Sequence, residues 1–114
     1  MRVPWSAMPD DTWFVYLARC ADGTLYTGIA RDVAKRIAQH DAGKGARYTR
    51  GRGPLTVCAV RRCRSKTTAL RLELAVKAVP KKDKERLADP ARFRAFAAKV
   101  TRQRGSAQQR KPVE

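Results

Sequence analysis

Val15-Tyr16-Leu17 and Tyr26-Thr27-Gly28 stand on either side of the turn signal Asp22-Gly23, in an apolar, β-branched and aromatic setting. The pattern predicts a β-hairpin with one tyrosine on each strand. Side chains alternate between the two faces of a sheet, so the length of the turn decides whether those tyrosines meet. A two-residue turn would oppose Tyr16 to Ile29 and send Tyr16 and Tyr26 to different faces. A three-residue loop, Ala21-Asp22-Gly23, with Gly23 left-handed and a bulge, pairs Cys20 with Thr24 and Tyr16 with Gly28. Both tyrosines then share a face, and Trp13, Val15, Leu17, Leu25 and Ile29 gather on the other as a nearly pure apolar set. Burial of that set selects the three-residue loop.

At 114 residues the chain has room for one core. Residues 1–10 read as a flexible start, 11–104 as a single domain, and 105–114, rich in Gln, Arg, Lys and Pro, as a disordered basic tail. Within the domain we expect strands over Thr12–Cys20 and Thr24–Ala30 and a helix from Asp32, its N-cap, to about Asp41. A glycine-rich basic loop, Ala42–Gly53, then leads to a third strand over Leu55–Arg62. Ser65 or Thr67 starts a helix that ends before Pro80, and a helical pair follows, Lys81–Leu87 and Pro90 to about Arg102; with that pair taken as one unit the α+β order is β-β-α-β-α-α.

The formal net charge is +16 and the pI near 10.9, which points to a polyanionic partner. Between Asp41 and Asp83 the only acidic residue is Glu73, amid a dozen lysines and arginines. A solvated, solubilising face accounts for scattered cations but not for the near-absence of balancing acids, so nucleic acid is the favoured partner. Lys44, Arg47, Arg50 and Arg52 of the glycine-rich loop are candidate phosphate contacts, and Tyr48 among them is placed to stack on an unpaired base. Cys20, Cys58 and Cys63 form no Cys-x-x-Cys pair and only one histidine is present, which argues against structural zinc and a disulfide framework. With no apolar run suited to a signal peptide or a membrane span, a reducing cytoplasm is the expected compartment.

Hydrolysing a phosphodiester needs an activated water, charge stabilisation on the phosphoryl oxygens and help for the leaving oxygen. Glu73, the one carboxylate of the basic span, suits a single magnesium ion; its ordinary alternative is a surface ion pair with Lys77 at i,i+4. Leu70 and Val76 beside it on the helix suggest that it looks inward. Arg36 and His40 lie four apart beside the apolar stripe of Val33, Ile37 and Ala38 and project together. Arg36 suits a fork of hydrogen bonds to phosphate, and His40 suits proton transfer or phosphate binding, against the usual part-exposed helical histidine. Tyr16 and Tyr26 are either sheet packing or a base near a cation, and the sequence does not say which would act. Gly28 either leaves space for a phosphate to approach the sheet or marks a bulge.

Taken in order, Val15-Tyr16-Leu17, Tyr26-Thr27-Gly28, Arg36, His40 and Glu73 resemble the GIY-YIG nuclease superfamily, in its small stand-alone bacterial branch. The resemblance runs from about Trp13 to Leu87, and Gly43 to Arg50 resembles that branch's basic loop. It implies a three-stranded antiparallel sheet flanked by helices and a Mg2+ or Mn2+ requirement. It further implies Glu73 as metal ligand, one tyrosine activating water, and Arg36 and His40 as the family's arginine and helix helper. The triplets are not literal Gly-Ile-Tyr and Tyr-Ile-Gly, and Ala30 stands where the branch often has threonine. Larger members carry an asparagine after the metal-ligand helix; this chain has none, and Lys77 or Lys84 is the candidate phosphate contact instead. The expected function is a metal-dependent DNA endonuclease of repair or recombination, selective for DNA structure. The alternatives are a nucleic-acid-binding module with weak or no turnover, and an RNA-associated protein. A protein partner is not legible.

Overall fold

The computed structural model describes residues 11–42 and 53–110. The hairpin takes the register that burial of its apolar set requires. Strand β1 (Trp13–Arg19) runs antiparallel to β2 (Leu25–Ala30) with Tyr16 opposite Gly28. The Cys20 amide donates to the Thr24 carbonyl at 2.7 Å, the Gly23 amide donates to the Cys20 carbonyl at 2.9 Å, and Gly23 has φ of 91°. This is the left-handed position that favours glycine. Asp22 Oδ1 braces the turn by accepting from the Thr24 amide (3.0 Å) and hydroxyl (2.7 Å). Arg19 ties the turn to a distant part of the chain, donating to the Gly23 carbonyl at 3.0 Å and, through both terminal nitrogens, to the Glu85 carboxylate at 2.9 and 3.0 Å.

Strand β3 (Thr56–Cys63) pairs antiparallel with β1 on its other side, so the sheet order is β2-β1-β3 and β2 and β3 are its edges. The pairing slips between Leu17 and Ala18, where Cys58 is the extra residue. Helix α1 (Val33–Asp41) starts at Asp32, whose carboxylate accepts from the Lys35 amide at 3.0 Å. Helix α2 (Lys66–Lys77) starts at Ser65, whose hydroxyl accepts from the Thr68 amide at 3.1 Å. These caps are the ones the sequence marks.

The C-terminal half differs from the expectation in two places. The stretch read as one helix over Lys81–Leu87 is an α turn, α3 (Lys81–Lys84), followed by a 3₁₀ turn over Glu85–Ala88. Helix α4 (Pro90–Arg110) runs beyond Arg102 into the segment read as a disordered tail. Ala107, Gln108, Gln109 and Arg110 are good helix formers, and the next proline is Pro112. Lack of apolar residues there limits what the helix can bury, not whether it continues.

Both faces of the sheet are clad. On one, Val15 and Leu17 pack with Ala69, Leu72 and Val76 of α2 and with Leu87, Phe93 and Ala97 beyond it; Trp13, Leu25 and Ile29 border this core. Each large apolar side chain buried here contributes about 1.5–3 kcal/mol. On the other face, Tyr16, Ala18, Cys20, Ala30 and Leu55 form a second cluster, covered by Val33 and Ile37 of α1 and joined by Tyr26. The tyrosines therefore sit under α1, while α2 packs on β1 and β2 from the opposite side.

Candidate active site

Tyr16 has no solvent exposure, and its hydroxyl lies 3.1 Å from His40 Nε2. His40 is in the last turn of α1 and only 2% exposed, not the part-exposed helical histidine that is the common case. The face that α1 turns inward is Val33, Ile37 and His40, at the i, i+4, i+7 spacing; Ala38, expected in that stripe, is exposed. Tyr26 closes the group from β2, its ring centre 6.2 Å from that of Tyr16 and 5.2 Å from that of His40, edge-on to the latter.

Gly28 serves neither of the roles expected of it. The space a Cβ would take is filled by Tyr16, with the hydroxyl at 2.6 Å and Cζ at 2.8 Å, and by Tyr26 Cε2 at 3.0 Å. The bulge lies between β1 and β3 instead. Gly28 is thus the floor on which the Tyr16 ring lies.

Arg36 is half-buried on α1, and its Nη1 donates to Gln39 Oε1 at 3.0 Å. Its charge acts on both phenols and on His40. Glu73, on α2, influences the same centre through its charge, which acts on Tyr16 and Tyr26, and its side chain is only 15% exposed. It also pairs with Lys77 Nζ at 3.3 Å. The i,i+4 ion pair expected as the ordinary alternative is therefore present, and it is made by a carboxylate that is mostly buried. Of its helix neighbours Val76 is buried, whereas Leu70 is exposed.

Burial pushes the Tyr16 phenol well above its ordinary value, reinforced by Tyr26 and opposed by Arg36. Burial likewise raises Tyr26, against Lys77 and Arg36. Burial lowers His40, and the Arg36 cation adds to that, so the imidazole is neutral at pH 7. In the tautomer protonated at Nδ1, the Tyr16 hydroxyl donates a hydrogen bond to Nε2. Both shifts keep the resting pair a neutral phenol against a neutral imidazole.

Among the described residues, two grooves lie along the β2 edge of the sheet. One, of about 300 Å3, is lined by Leu25, Tyr26, Thr27, Lys77 and Lys84. The other, of about 390 Å3, has Arg36 and Gln39 in its wall together with Ile29 and Trp13. Lys77 and Lys84 thus line a groove beside Tyr26, while Lys44, Arg47, Tyr48, Arg50 and Arg52 lie outside the described residues. Two supports were not foreseen. Gln39 as the brace of Arg36 was visible in its i,i+3 spacing, whereas Trp13 beside Arg36 had no signal, being read only as core.

Among the described residues no three His, Cys, Asp or Glu side chains gather as a metal site. Glu73 alone fits a hard divalent ion, since magnesium commonly takes one or two carboxylates and completes its shell with water and substrate phosphate. No described helix is long and apolar enough to cross a membrane.

The sequence model of the GIY-YIG catalytic domain matches residues 12–86. A UPF0213 protein of Yersinia pestis (strain Pestoides F) is 51% identical over 80 residues, which are 70% of this chain and 84% of that protein. One from Yersinia pseudotuberculosis (serotype O:3, strain YPIII) matches to the same extent. The solution structure of a UPF0213 protein from Bacillus halodurans is 46% identical and covers 67% of this chain and 81% of that one, with a TM-score of 0.44.

Proposed function

The chain belongs to the GIY-YIG nuclease family, and on that footing we propose that it is a metal-dependent endonuclease hydrolysing DNA phosphodiester bonds. The observation that carries the reading is the convergence of Tyr16, Tyr26, Arg36, His40 and Glu73, from β1, β2, α1 and α2, on one centre at the β2 edge.

Tyr16 is a phenol at neutral pH and cannot act as a base unaided. It works as a relay: as a water oxygen attacks phosphorus, the water proton passes to Tyr16 Oη while the Tyr16 proton passes to His40 Nε2. The bond from phosphorus to the leaving deoxyribose oxygen breaks, that oxygen takes a proton from solvent, and the imidazolium later returns its own proton to solvent. Tyr26, edge-on to His40, holds the ring in place. Arg36, fixed by Gln39, offers its fork of N–H groups to a non-bridging phosphate oxygen as charge builds there. Glu73 would hold a Mg2+ or Mn2+ ion, which when bound supplies Lewis-acid stabilisation of the phosphoryl charge. Lys77 and Lys84 receive the neighbouring phosphates. The cationic contacts proposed here are to phosphates, which position a substrate without reading its bases, so the selectivity we propose is for DNA structure, in repair or recombination.

A nucleic-acid-binding module without turnover is the second reading, favoured by the Lys77 ammonium already seated on Glu73. Wild type and Glu73→Ala, incubated with labelled single-stranded, duplex, flap and four-way DNA in magnesium, manganese or chelator, separate the two. Metal-dependent cutting by wild type alone supports the nuclease. Binding without cutting in every condition supports the module, and equal cutting by the variant removes Glu73 from the site.

A further inference from the structure

Arg36 faces two ways. It acts on the tyrosine centre, and it also lines the 390 Å3 groove with Trp13, Ile29, Arg31, Lys35 and Gln39. The groove combines an apolar floor, Trp13 and Ile29, with a cationic rim in which Asp32 is the single acid and already caps α1. The Trp13 ring is only half-buried and has two cations over it, the Arg31 guanidinium at 5.9 Å and the Lys66 ammonium at 5.1 Å from the ring centre. A half-buried tryptophan at the wall of an open groove, with cations over its ring, offers the chemistry that binds unpaired bases: the ring stacks on a base, and the cations take the phosphates on either side.

We propose that this groove holds a single-stranded segment of DNA adjoining the scissile phosphate, with one base stacked on Trp13 and its phosphates on Arg31 and Lys35. The inference rests on the nuclease reading and deepens it by naming the substrate class: DNA with an unpaired strand next to the cut, as in a flap or gap. The stacking base takes the place of one of the cations now over Trp13, and that cation moves to the adjoining phosphate. A paired base cannot do this, because its faces are occupied by its neighbours in the duplex. Arg36, common to both sites, joins the bound strand to the reacting phosphate.

The chain has two tryptophans, Trp5 and Trp13, so Trp5→Phe leaves Trp13 as sole reporter. This variant, in chelator, is titrated with oligothymidylate of about 12 nucleotides, with a duplex of equal length and with oligouridylate, following tryptophan emission and the anisotropy of labelled DNA. Oligothymidylate is expected to quench Trp13 strongly and duplex to leave most of the emission. Trp13→Phe should keep the affinity, whereas Trp13→Leu should lose about 5- to 100-fold. Arg31→Ala with Lys35→Ala should flatten the log-affinity against log-salt slope by about 1.4. Binding by anisotropy without quenching, or equal quenching by duplex, overturns the stacking site, and tighter binding of oligouridylate overturns its assignment to DNA. Quenching in a protein that cuts nothing leaves the groove standing and sinks the nuclease reading. Cutting of flap DNA without quenching does the reverse.

Discussion

Gly28 and Tyr16 are opposed across the β1–β2 ladder, and the Tyr16 hydroxyl occupies the place where any other residue at 28 would carry its Cβ. Gly28→Ala would put a methyl 2.6 Å from that hydroxyl, within a buried cluster that has no slack. Overpacking of this kind costs about 1–3 kcal/mol. The ring must move off His40, so cleavage should fall by at least about tenfold, beyond what the loss of stability accounts for. Urea denaturation and cleavage rates on the same preparation check this.

Arg36→Ala should lower turnover by about 10²-fold or more, the cost of removing one donor to developing charge, with only a modest loss of DNA affinity. Single-turnover cleavage at saturating enzyme, set beside anisotropy binding, gives both numbers. A loss confined to affinity would make Arg36 a docking residue.

His40 ties pH to both rate and stability. Its folded value lies below the ordinary 6.5, so the base is present through neutral pH and the rate should fall on the acid side only below that value. For stability the sign is the same: as pH drops through the unfolded imidazole's range, the unfolded chain binds a proton that the folded chain refuses, and the fold weakens. His40→Gln should flatten the urea midpoint between pH 7.5 and 5 and remove the acid limb of the rate profile.

Lys77 competes with any cation for Glu73. An ion pair of this exposure contributes about 0.2–1 kcal/mol, so Lys77→Ala should lower the half-saturating magnesium concentration by up to about fivefold. The same change should weaken DNA binding and reduce its salt slope by about 0.7–0.9, the share of one phosphate contact. A magnesium titration of cleavage at fixed DNA, with binding measured at several salt concentrations, tests both.

Local periodicity and turn chemistry made most of the fold legible. Gly23, Asp32 and Ser65 mark their turn and caps by residue type, and the alternation of Trp13, Val15 and Leu17 sets the register that places both tyrosines together. What the residues could not show were facts of crossing chains. That His40 is buried follows from the α1 face meeting Tyr16 and Tyr26, and that Trp13 neighbours Arg36 follows from the β2 edge being open. The ending of α4 was misjudged for a different reason: the absence of core-forming residues beyond Arg102 says nothing against helical propensity.

Arg36, His40 and both tyrosines come from one stretch of 25 residues, positions 16 to 40, whereas Glu73 arrives only when α2 docks on the far side of the sheet. A chain that ends before α2 carries the residues of the relay in its sequence but lacks Glu73. For a protein proposed to cut DNA, this ties the proposed site to the whole fold: it is complete only when α2 is packed on its side of the sheet.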